Sequence, residues 1–226
     1  MYGGYNTGLM RFDRAGAPFV GGAAAAAGLG VVLRQPLLLA PGLALGLFFA
    51  FFFRDPRRTV TAEPDAVVAP ADGRVLVAGP ADREPEHAPP GDWQQLSIFL
   101  SPLDVHVNRV PIGGRITRVD RVPGRFLPAY RPDAARLNER TEIWIDRDGH
   151  TIVCRQVVGV LARRIVCRVR VGDAVATGQR YGIMKFGSRI DLLLPADAAL
   201  EVGVGARVRG GETIVARLRR AEGAPA

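Results

Sequence analysis

An almost uninterrupted apolar stretch over residues 17–53 constrains the fold of this chain more than any other feature. Such a stretch must be buried in protein or in lipid, because its exposure to water is unfavourable. Residues 34–36 divide it into two runs, 18–33 and 36–53, each of about 16–18 residues and slightly short of the ~20 that span a bilayer as a helix. The pattern predicts a helical hairpin.

Basic residues flank this hairpin on both sides, and they are Arg11, Arg14, Arg54, Arg57 and Arg58. Positive flanks remain on the cytoplasmic side of a membrane, so both ends of the hairpin are expected at the cytoplasmic face of the cell membrane. A cleaved signal peptide fits less well, because the apolar segment is too long and no small-residue cleavage site follows it. The predicted membrane-associated domain covers residues 1–58, and a hairpin buried in a soluble protein is the alternative.

The remainder, residues 59–226, consists of short Val, Ile and Leu runs separated by Gly, Pro and Asp, a pattern that predicts strands. The clearest runs are residues 67–69, 74–77, 95–100 and 142–145. Asp148-Gly149 lies between two such runs and predicts a tight β-hairpin turn. No long segment has the helical period, so this domain is predicted to be mostly β.

An internal repeat supports the β assignment. The pattern V-G-x-x-V-x-x-G occurs at residues 171–178 and again 33 residues later at 204–211. Glycines fix tight turns and alternating valines define one face, so each copy is predicted to form a hairpin. Paired hairpins of this type build the barrel-sandwich of biotinyl and lipoyl carrier domains, which is the predicted architecture. Fold alone does not identify the function.

Composition excludes several classes of protein. The content of 48% hydrophobic and 23% charged residues is not that of a disordered chain. The net charge is +8, but the arginines are scattered and aromatic residues reach only 7%, which argues against a nucleic-acid partner. Two cysteines, Cys154 and Cys167, exclude a disulfide scaffold and a cysteine-only zinc site, and no metal is predicted.

Candidate reactive residues cluster in three short segments. In the first, Asp104 lies two residues before His106, so both project from the same side of a strand and the carboxylate could orient the imidazole. In the second, Asp72 lies at the tip of an Asp-Gly turn. In the third, the step Gly187-Ser188 interrupts a strand-like run, which indicates either a simple bulge or an unusual backbone site.

Phe186-Gly187-Ser188-Arg189 resembles the self-cleavage motif of phosphatidylserine decarboxylases, in the short form without a long N-terminal extension. Longer members carry Leu-Gly-Ser-Thr at this place. Further segments resemble the short form in family order, and they are residues 53–56, 70–73, 101–111, 138–141, 162–165 and 186–191. Each is weak alone, but together they cover most of residues 50–195 and are highly specific.

The resemblance implies a pyruvoyl enzyme that cuts itself between Gly187 and Ser188. Ser188 Oγ would attack the Gly187 carbonyl, and elimination with loss of ammonia would convert Ser188 into the pyruvoyl group. The products would be a large chain, residues 1–187, and a small chain, residues 188–226, that stay together without a covalent bond. The mature enzyme would form a Schiff base with phosphatidylserine, release CO₂ and yield phosphatidylethanolamine.

The resemblance also implies roles for the neighbouring residues. A general base must activate Ser188; His106 is the candidate, with Asp72 holding it and Asp104 as the alternative partner. Arg109 and Arg189 are candidates for binding the lipid phosphate or carboxylate. Longer members have two histidines three residues apart in the segment around His106, whereas the second position here is Arg109. A homodimer is also possible.

Other functions remain as alternatives. Met184-Lys185 is similar to the Met-Lys step that carries biotin or lipoate, and Lys185 is the only lysine of the chain. A membrane-anchored binding module without chemistry predicts an uncut chain. A soluble pyruvoyl decarboxylase of amino acids is disfavoured by the apolar hairpin.

Overall fold

The computed structural model describes residues 11–61, 63–160 and 164–219. It divides the chain into two compact units between Arg57 and Arg58. Strands account for 39% of the residues and helices for 20%, which confirms the predicted mostly β fold with an apolar helical N-terminus. Ala162 and Arg163, which belong to one of the family-like segments, lie outside the described residues.

The first unit is the predicted helical hairpin. Its elements are strand β1 (Arg11–Phe12), a 3₁₀ turn (Arg14–Gly16), helices α1 (Ala17–Val32) and α2 (Pro36–Phe52), and strand β2 (Arg54–Asp55). The strands β1 and β2 pair with each other and close the base of the hairpin.

Two glycines allow the helices to pack closely. A Cβ at Gly30 would lie 2.5 Å from the amide nitrogen of Leu39, and one at Gly42 would lie 2.6 Å from that of Ala27. The residues between the helices turn sharply, with Arg34 in the left-handed region at φ 53°. By length and composition the 19-residue helical segment Arg14–Val32 can cross a bilayer, whereas α2 is shorter.

The second unit is built from strands. They are β3 (Ala66–Val68), β4 (Gly73–Pro80), β5 (Trp93–Leu100), β6 (Val107–Arg109), β7 (Gly114–Val122), β8 (Arg140–Arg147), β9 (His150–Val157), β10 (Ile165–Cys167), β11 (Ala174–Val175), β12 (Arg180–Met184), β13 (Ser188–Pro195), β14 (Ala199–Leu200), β15 (Arg207–Val208) and β16 (Ile214–Arg217), with a short helix α3 (Ala134–Leu137) before β8. The strand predictions from residue 67 onward are confirmed.

These strands form a curled eight-stranded sheet and two smaller ones. The large sheet has the order β11-β7-β8-β9-β13-β5-β4-β15, and the others are β10-β12-β6 and β14-β16-β3. Asp148 and Gly149, at φ 51° and 85°, form the predicted two-residue turn between β8 and β9. Strand β13 lies between β9 and β5, and all but its last residue are buried.

The repeat produces two equivalent substructures. The first copy connects the antiparallel strands β10 and β12, and the second connects β14 and β16. Each copy therefore forms the predicted hairpin, with a long connection between the two strands. Each copy also contributes a two-residue strand, β11 or β15, that pairs elsewhere, with β7 and β4 respectively. The repeat therefore joins the small sheets to the large one.

The interior of this unit is apolar and tightly enclosed. Its large buried side chains include Leu96, Ile98, Leu100, Ile143, Ile152, Ile190 and Leu192. Both cysteines are free, with Cys154 buried and Cys167 partly buried. Burial raises the pKa of Cys154 to about 12, and its Sγ lies 3.3 Å from the hydroxyl oxygen of Tyr181, so this thiol is a core group.

Candidate active site

The predicted cleavage bond follows a strained turn. Phe186 and Gly187 connect β12 to β13 and both have left-handed backbones, at φ 59° and 71°. For a residue with a Cβ such as Phe186, this conformation costs about 1–2 kcal/mol. The Gly187-Ser188 bond thus lies at the first residue of β13, immediately after two unusual residues, rather than at a bulge inside a strand.

The side chain of Ser188 is fully buried, and its Oγ has no hydrogen-bond partner among the described residues. A buried hydroxyl without a partner loses the hydrogen bonds it would make in water, at a cost of about 1–3 kcal/mol. Ser188 nevertheless occupies a regular strand, paired with Leu100 of β5. The fold therefore holds the Ser188 hydroxyl, without a hydrogen bond to the described residues, beside the peptide bond that it would attack.

His106 lies directly before β6 and is fully buried beside the same peptide. Its Nδ1 is 2.9 Å from the main-chain oxygen of Asp104, and its Nε2 is 3.3 Å from the amide nitrogen of Gly187. The Asp104 oxygen can only accept, so Nδ1 carries the proton and Nε2 presents its lone pair to the Gly187 N–H. The imidazole is thus in the Nδ1–H tautomer, and the lone pair of its Nε2 could accept a proton.

The carbonyl of Gly187 lies against Gly159. A Cβ at Gly159 would be 2.2 Å from the Gly187 oxygen and 3.2 Å from its carbon. Only a residue without a side chain leaves room for this carbonyl, because real Cβ atoms essentially never approach so closely. Gly159 therefore determines where the Gly187 carbonyl can lie.

The two candidate carboxylates have different neighbours. The Asp104 carboxylate accepts from the Ser101 amide at 2.8 Å, so Asp104 orients His106 through its main-chain oxygen rather than through its side chain. The Asp72 carboxylate binds Arg58 Nη2 at 2.7 Å and accepts from the Gly210 amide at 2.8 Å. Among the described residues its hydrogen bonds do not reach His106, and its predicted role there stays a prediction.

The two candidate arginines are also largely buried. Arg109 donates to the main-chain oxygen of Gly178 at 3.2 Å. The Arg189 guanidinium donates to Asp191 at 2.5 Å and to Ser97 Oγ at 2.8 Å. Successive residues of a strand face opposite sides, so the Arg189 side chain lies on the other side of the sheet from Ser188. This placement favours a structural role for Arg189.

Sequence reasoning missed three residues of this region, namely Gly159, Asn108 and Gln156. The last two are fully buried, and Gln156 Nε2 donates to Asn108 Oδ1 at 2.7 Å. Asn108 follows His106 by two residues, so the strand period could have identified it. Gln156 could have been noticed as a polar residue next to Arg155 between the apolar residues 152–154 and 157–158, although its partner lies 48 residues away.

The position of Lys185 bears on the alternative of a carrier domain. Lys185 is half-buried directly before the Phe186-Gly187 turn, whereas a carrier lysine must reach other active sites from an exposed position.

Within residues 11–61, 63–160 and 164–219, no group of three or more His, Cys, Asp and Glu side chains is arranged to hold a metal ion.

Comparison with known proteins identifies the family of the chain. Residues 45–216 match the family model described as phosphatidylserine decarboxylase. A phosphatidylserine decarboxylase proenzyme of Chlorobium phaeobacteroides (strain BS1) is 44% identical over 193 residues, covering 84% of this chain and 89% of the relative. The protein of that name from Mycobacteroides abscessus is 44% identical over 206 residues, covering 90% of this chain and 86% of the relative.

A third proenzyme of that name, from Desulfotalea psychrophila, is 39% identical over 206 residues, covering 91% of this chain and 95% of the relative. The matched regions include the strained turn, Ser188 and His106. Similarity of this extent, together with a buried serine next to a histidine in its basic tautomer, assigns the chain to the phosphatidylserine decarboxylase family.

Proposed function

We propose that this chain is a proenzyme that cuts itself between Gly187 and Ser188 and then converts phosphatidylserine to phosphatidylethanolamine with the pyruvoyl group so made. Family membership supports the decarboxylase activity. The single observation that carries the self-cleavage is the fully buried, unbonded Ser188 Oγ beside the strained turn and His106. The proposed carboxy-lyase requires no metal.

The cut is an internal acyl transfer. Ser188 Oγ attacks the carbonyl carbon of Gly187, its proton passes to a base, and the bond from that carbon to the Ser188 nitrogen breaks with protonation of the nitrogen. The result is an ester between Gly187 and the Ser188 side chain. Loss of the Cα proton then expels the Gly187 carboxylate, and hydrolysis of the resulting enamine releases ammonia and leaves the pyruvoyl group at position 188.

His106 is suited to move the proton in the first step. Its Nδ1–H is held by the Asp104 carbonyl, which leaves Nε2 as the acceptor on the side of the cleavage bond. Rotation of the Gly187 peptide would release Nε2 from the Gly187 N–H and leave it available to accept the Ser188 proton. The protonated ring could then donate to the departing nitrogen, so that one histidine serves both halves of the transfer.

The surroundings of position 188 fit a pyruvoyl group. When present, a pyruvoyl group supplies a ketone that takes the amine of phosphatidylserine as a Schiff base and accepts the electrons released with CO₂. Strand β13 would hold that position rigidly, because it is paired on both sides by β5 and β9. The buried surroundings would limit the access of bulk water to position 188, which must still admit the water that hydrolyses the enamine.

Pairing across the cut would keep the two chains together. The described strands of the small chain are β13, β14, β15 and β16, and three of them pair with strands of the large chain. The Asp72 carboxylate of the large chain also accepts from the Gly210 amide of the small chain. These contacts support a stable non-covalent complex.

The apolar hairpin gives the enzyme access to its lipid substrate. The segment Arg14–Val32 is apolar and long enough to cross a bilayer, and its basic flanks favour the cytoplasmic face of the bacterial cell membrane. Attachment there would place the catalytic unit at the surface where the phosphatidylserine head group lies.

Intact mass spectrometry of the purified protein tests the proposal. The parent chain should give two species that correspond to residues 1–187 and 188–226, with the small one carrying a carbonyl group that reacts with hydrazides. Ser188→Ala should remain one 24.3 kDa chain without decarboxylase activity, while Ser101→Ala should still be cut. Cleavage in Ser188→Ala, or an active parent that is uncut, would refute the mechanism.

A further inference from the structure

Asn108 and Gln156 form a buried amide pair that joins two sheets. Gln156 belongs to β9 of the large sheet and Asn108 to β6 of the sheet β10-β12-β6, and their side chains meet at 2.7 Å. Gly182 of β12 leaves space for this contact, because a Cβ there would lie 2.7 Å from Gln156 Nε2. Backbone and side chains are thus arranged around the pair.

Each amide has one group without a partner. Asn108 Nδ2 and Gln156 Oε1 are buried and make no hydrogen bond with the described residues. The amide of Gln156 is oriented by two acceptors, Asn108 Oδ1 at 2.7 Å and the Val166 carbonyl at 3.5 Å, so its oxygen is the group that remains open. The pair therefore offers one donor and one acceptor at a cost that apolar side chains would not incur.

The pair lies close to both reacting residues. Gln156 of β9 is directly opposite Ile190 of β13. Ser188 lies two residues before Ile190 on the same face of β13, so the Cβ atoms of Gln156 and Ser188 are about 7–8 Å apart. Asn108 follows His106 by two residues, and extended backbone separates such positions by about 7 Å. Ser188 Oγ leaves with Gly187 in the proposed elimination, so Asn108 Nδ2 and Gln156 Oε1 are the open polar atoms of this region that the mature enzyme would retain.

We infer that this amide pair binds the amino-carboxylate end of the substrate head group in the mature enzyme. Asn108 Nδ2 donates to a carboxylate oxygen, and Gln156 Oε1 accepts from the N–H of the substrate nitrogen. One donor and one acceptor match the two ends of that group. The inference rests on the proposed function. Because both atoms are fully buried in the uncut chain, substrate reaches them only after the cut releases the turn at Phe186 and Gly187.

The experiment compares Asn108→Leu and Gln156→Met with the parent, because both substitutions keep the size of the side chain and remove the polar atoms. Gln95→Met is the control, since the Gln95 amide donates to Ser97 Oγ instead. Cleavage is followed by denaturing gel, carbonyl content by hydrazide labelling, and stability by thermal unfolding. We expect each variant to be cut and labelled like the parent but to lose about 10–100-fold in kcat/KM on phosphatidylserine micelles.

Inhibition by phosphatidylethanolamine separates binding from a structural role. This lipid has the amine but lacks the carboxylate, so Asn108→Leu should leave its inhibition constant unchanged, whereas Gln156→Met should raise it. Unchanged kcat/KM in both cut variants, or equal weakening of both lipids by Asn108→Leu, would overturn the inference. The inference would also be overturned if neither Asn108→Leu nor the more conservative Asn108→Asp were cut. An uncut parent would instead refute the proposed function.

Discussion

The imidazole Nε2 of His106 accepts from the amide of Gly187 at 3.3 Å, whereas the neighbouring Ser188 Oγ accepts and donates no hydrogen bond among the described residues. In the proposed self-cleavage, the base would therefore lie next to the bond to be cut without yet contacting the nucleophile. The Gly187 peptide would have to move and release Nε2 before His106 could accept the Ser188 proton.

Replacement of this base should stop maturation. We expect His106→Asn to slow self-cleavage by at least 100-fold, because general base catalysis contributes about 10²–10⁴-fold. The rate is measured from the appearance of the small chain after synthesis in a cell-free system. His150→Asn, which changes a histidine at the β8–β9 turn, is the control, and cleavage of His106→Asn at the parental rate would exclude His106 as the base.

Gly159 should be sensitive to substitution although it takes no part in the reaction. The methyl group of Gly159→Ala would lie 2.2 Å from the Gly187 oxygen and displace that carbonyl from Ser188. We expect cleavage to slow by at least 10-fold, because a misplacement of the reacting atoms by about 1 Å can slow a reaction by about 10²-fold. Gly203→Ala, whose Cβ would meet no atom within 4 Å, should be cut normally. Normal cleavage of Gly159→Ala would show that the carbonyl position is not critical.

Arg189 should affect stability more than substrate binding. Its side chain and that of Asp191 are only 3% and 1% exposed, so Arg189→Met leaves a buried carboxylate without its partner and should destabilise the protein by about 3–5 kcal/mol. Adding Asp191→Asn should restore part of that loss. The KM of the cut fraction should stay within twofold of the parent. A tenfold higher KM with unchanged thermal unfolding would instead place the guanidinium against the substrate.

Glu212 makes a pH-dependent contact with Arg58 and Thr59, which would join the two chains after the proposed cut. Partial burial raises its pKa, but hydrogen bonds from the Thr59 amide and Arg58 outweigh this and lower the pKa below its ordinary value of 4.5. A lowered folded-state pKa adds stability above about pH 4.5, which is lost as the pH falls through the folded value.

The unfolding temperature of Glu212→Gln tests this dependence. We expect the variant to unfold at a lower temperature than the parent at pH 7, with the difference shrinking as the pH is lowered below 4.5. Glu86→Gln, which changes an exposed carboxylate, should match the parent throughout this range. A difference between Glu212→Gln and the parent that does not shrink below pH 4.5 would contradict the assignment.

Local patterns in the sequence predicted most of the elements. The two apolar runs and the break at Arg34 predicted α1 and α2, and Asp148-Gly149 predicted the β8–β9 turn, because such signals act between residues close in sequence. The repeat predicted two related hairpins. The same patterns could not indicate that the two-residue strands β11 and β15 pair with β7 and β4, since that pairing depends on the complete topology.

The site was predictable only in part. Ser188, Gly187 and His106 were identified from short segments, and the structure brings them together. The contacts of Gln156 with Asn108 and of Gly159 with Gly187 were not, because each joins segments whose approach is determined by the pairing of strands. The contact of Asp72 with Arg58 was not predicted either, because Arg58 lies in a segment without regular structure.

The central position of β13 determines the order in which the enzyme can be made. Since the strand that begins at Ser188 is paired on both sides in the middle of the large sheet, it must be inserted while the polypeptide is continuous. A separately synthesised small chain would have to open the sheet to enter it. If the chain is cut as proposed, folding must therefore precede the cut, and the two resulting chains should not exchange between molecules.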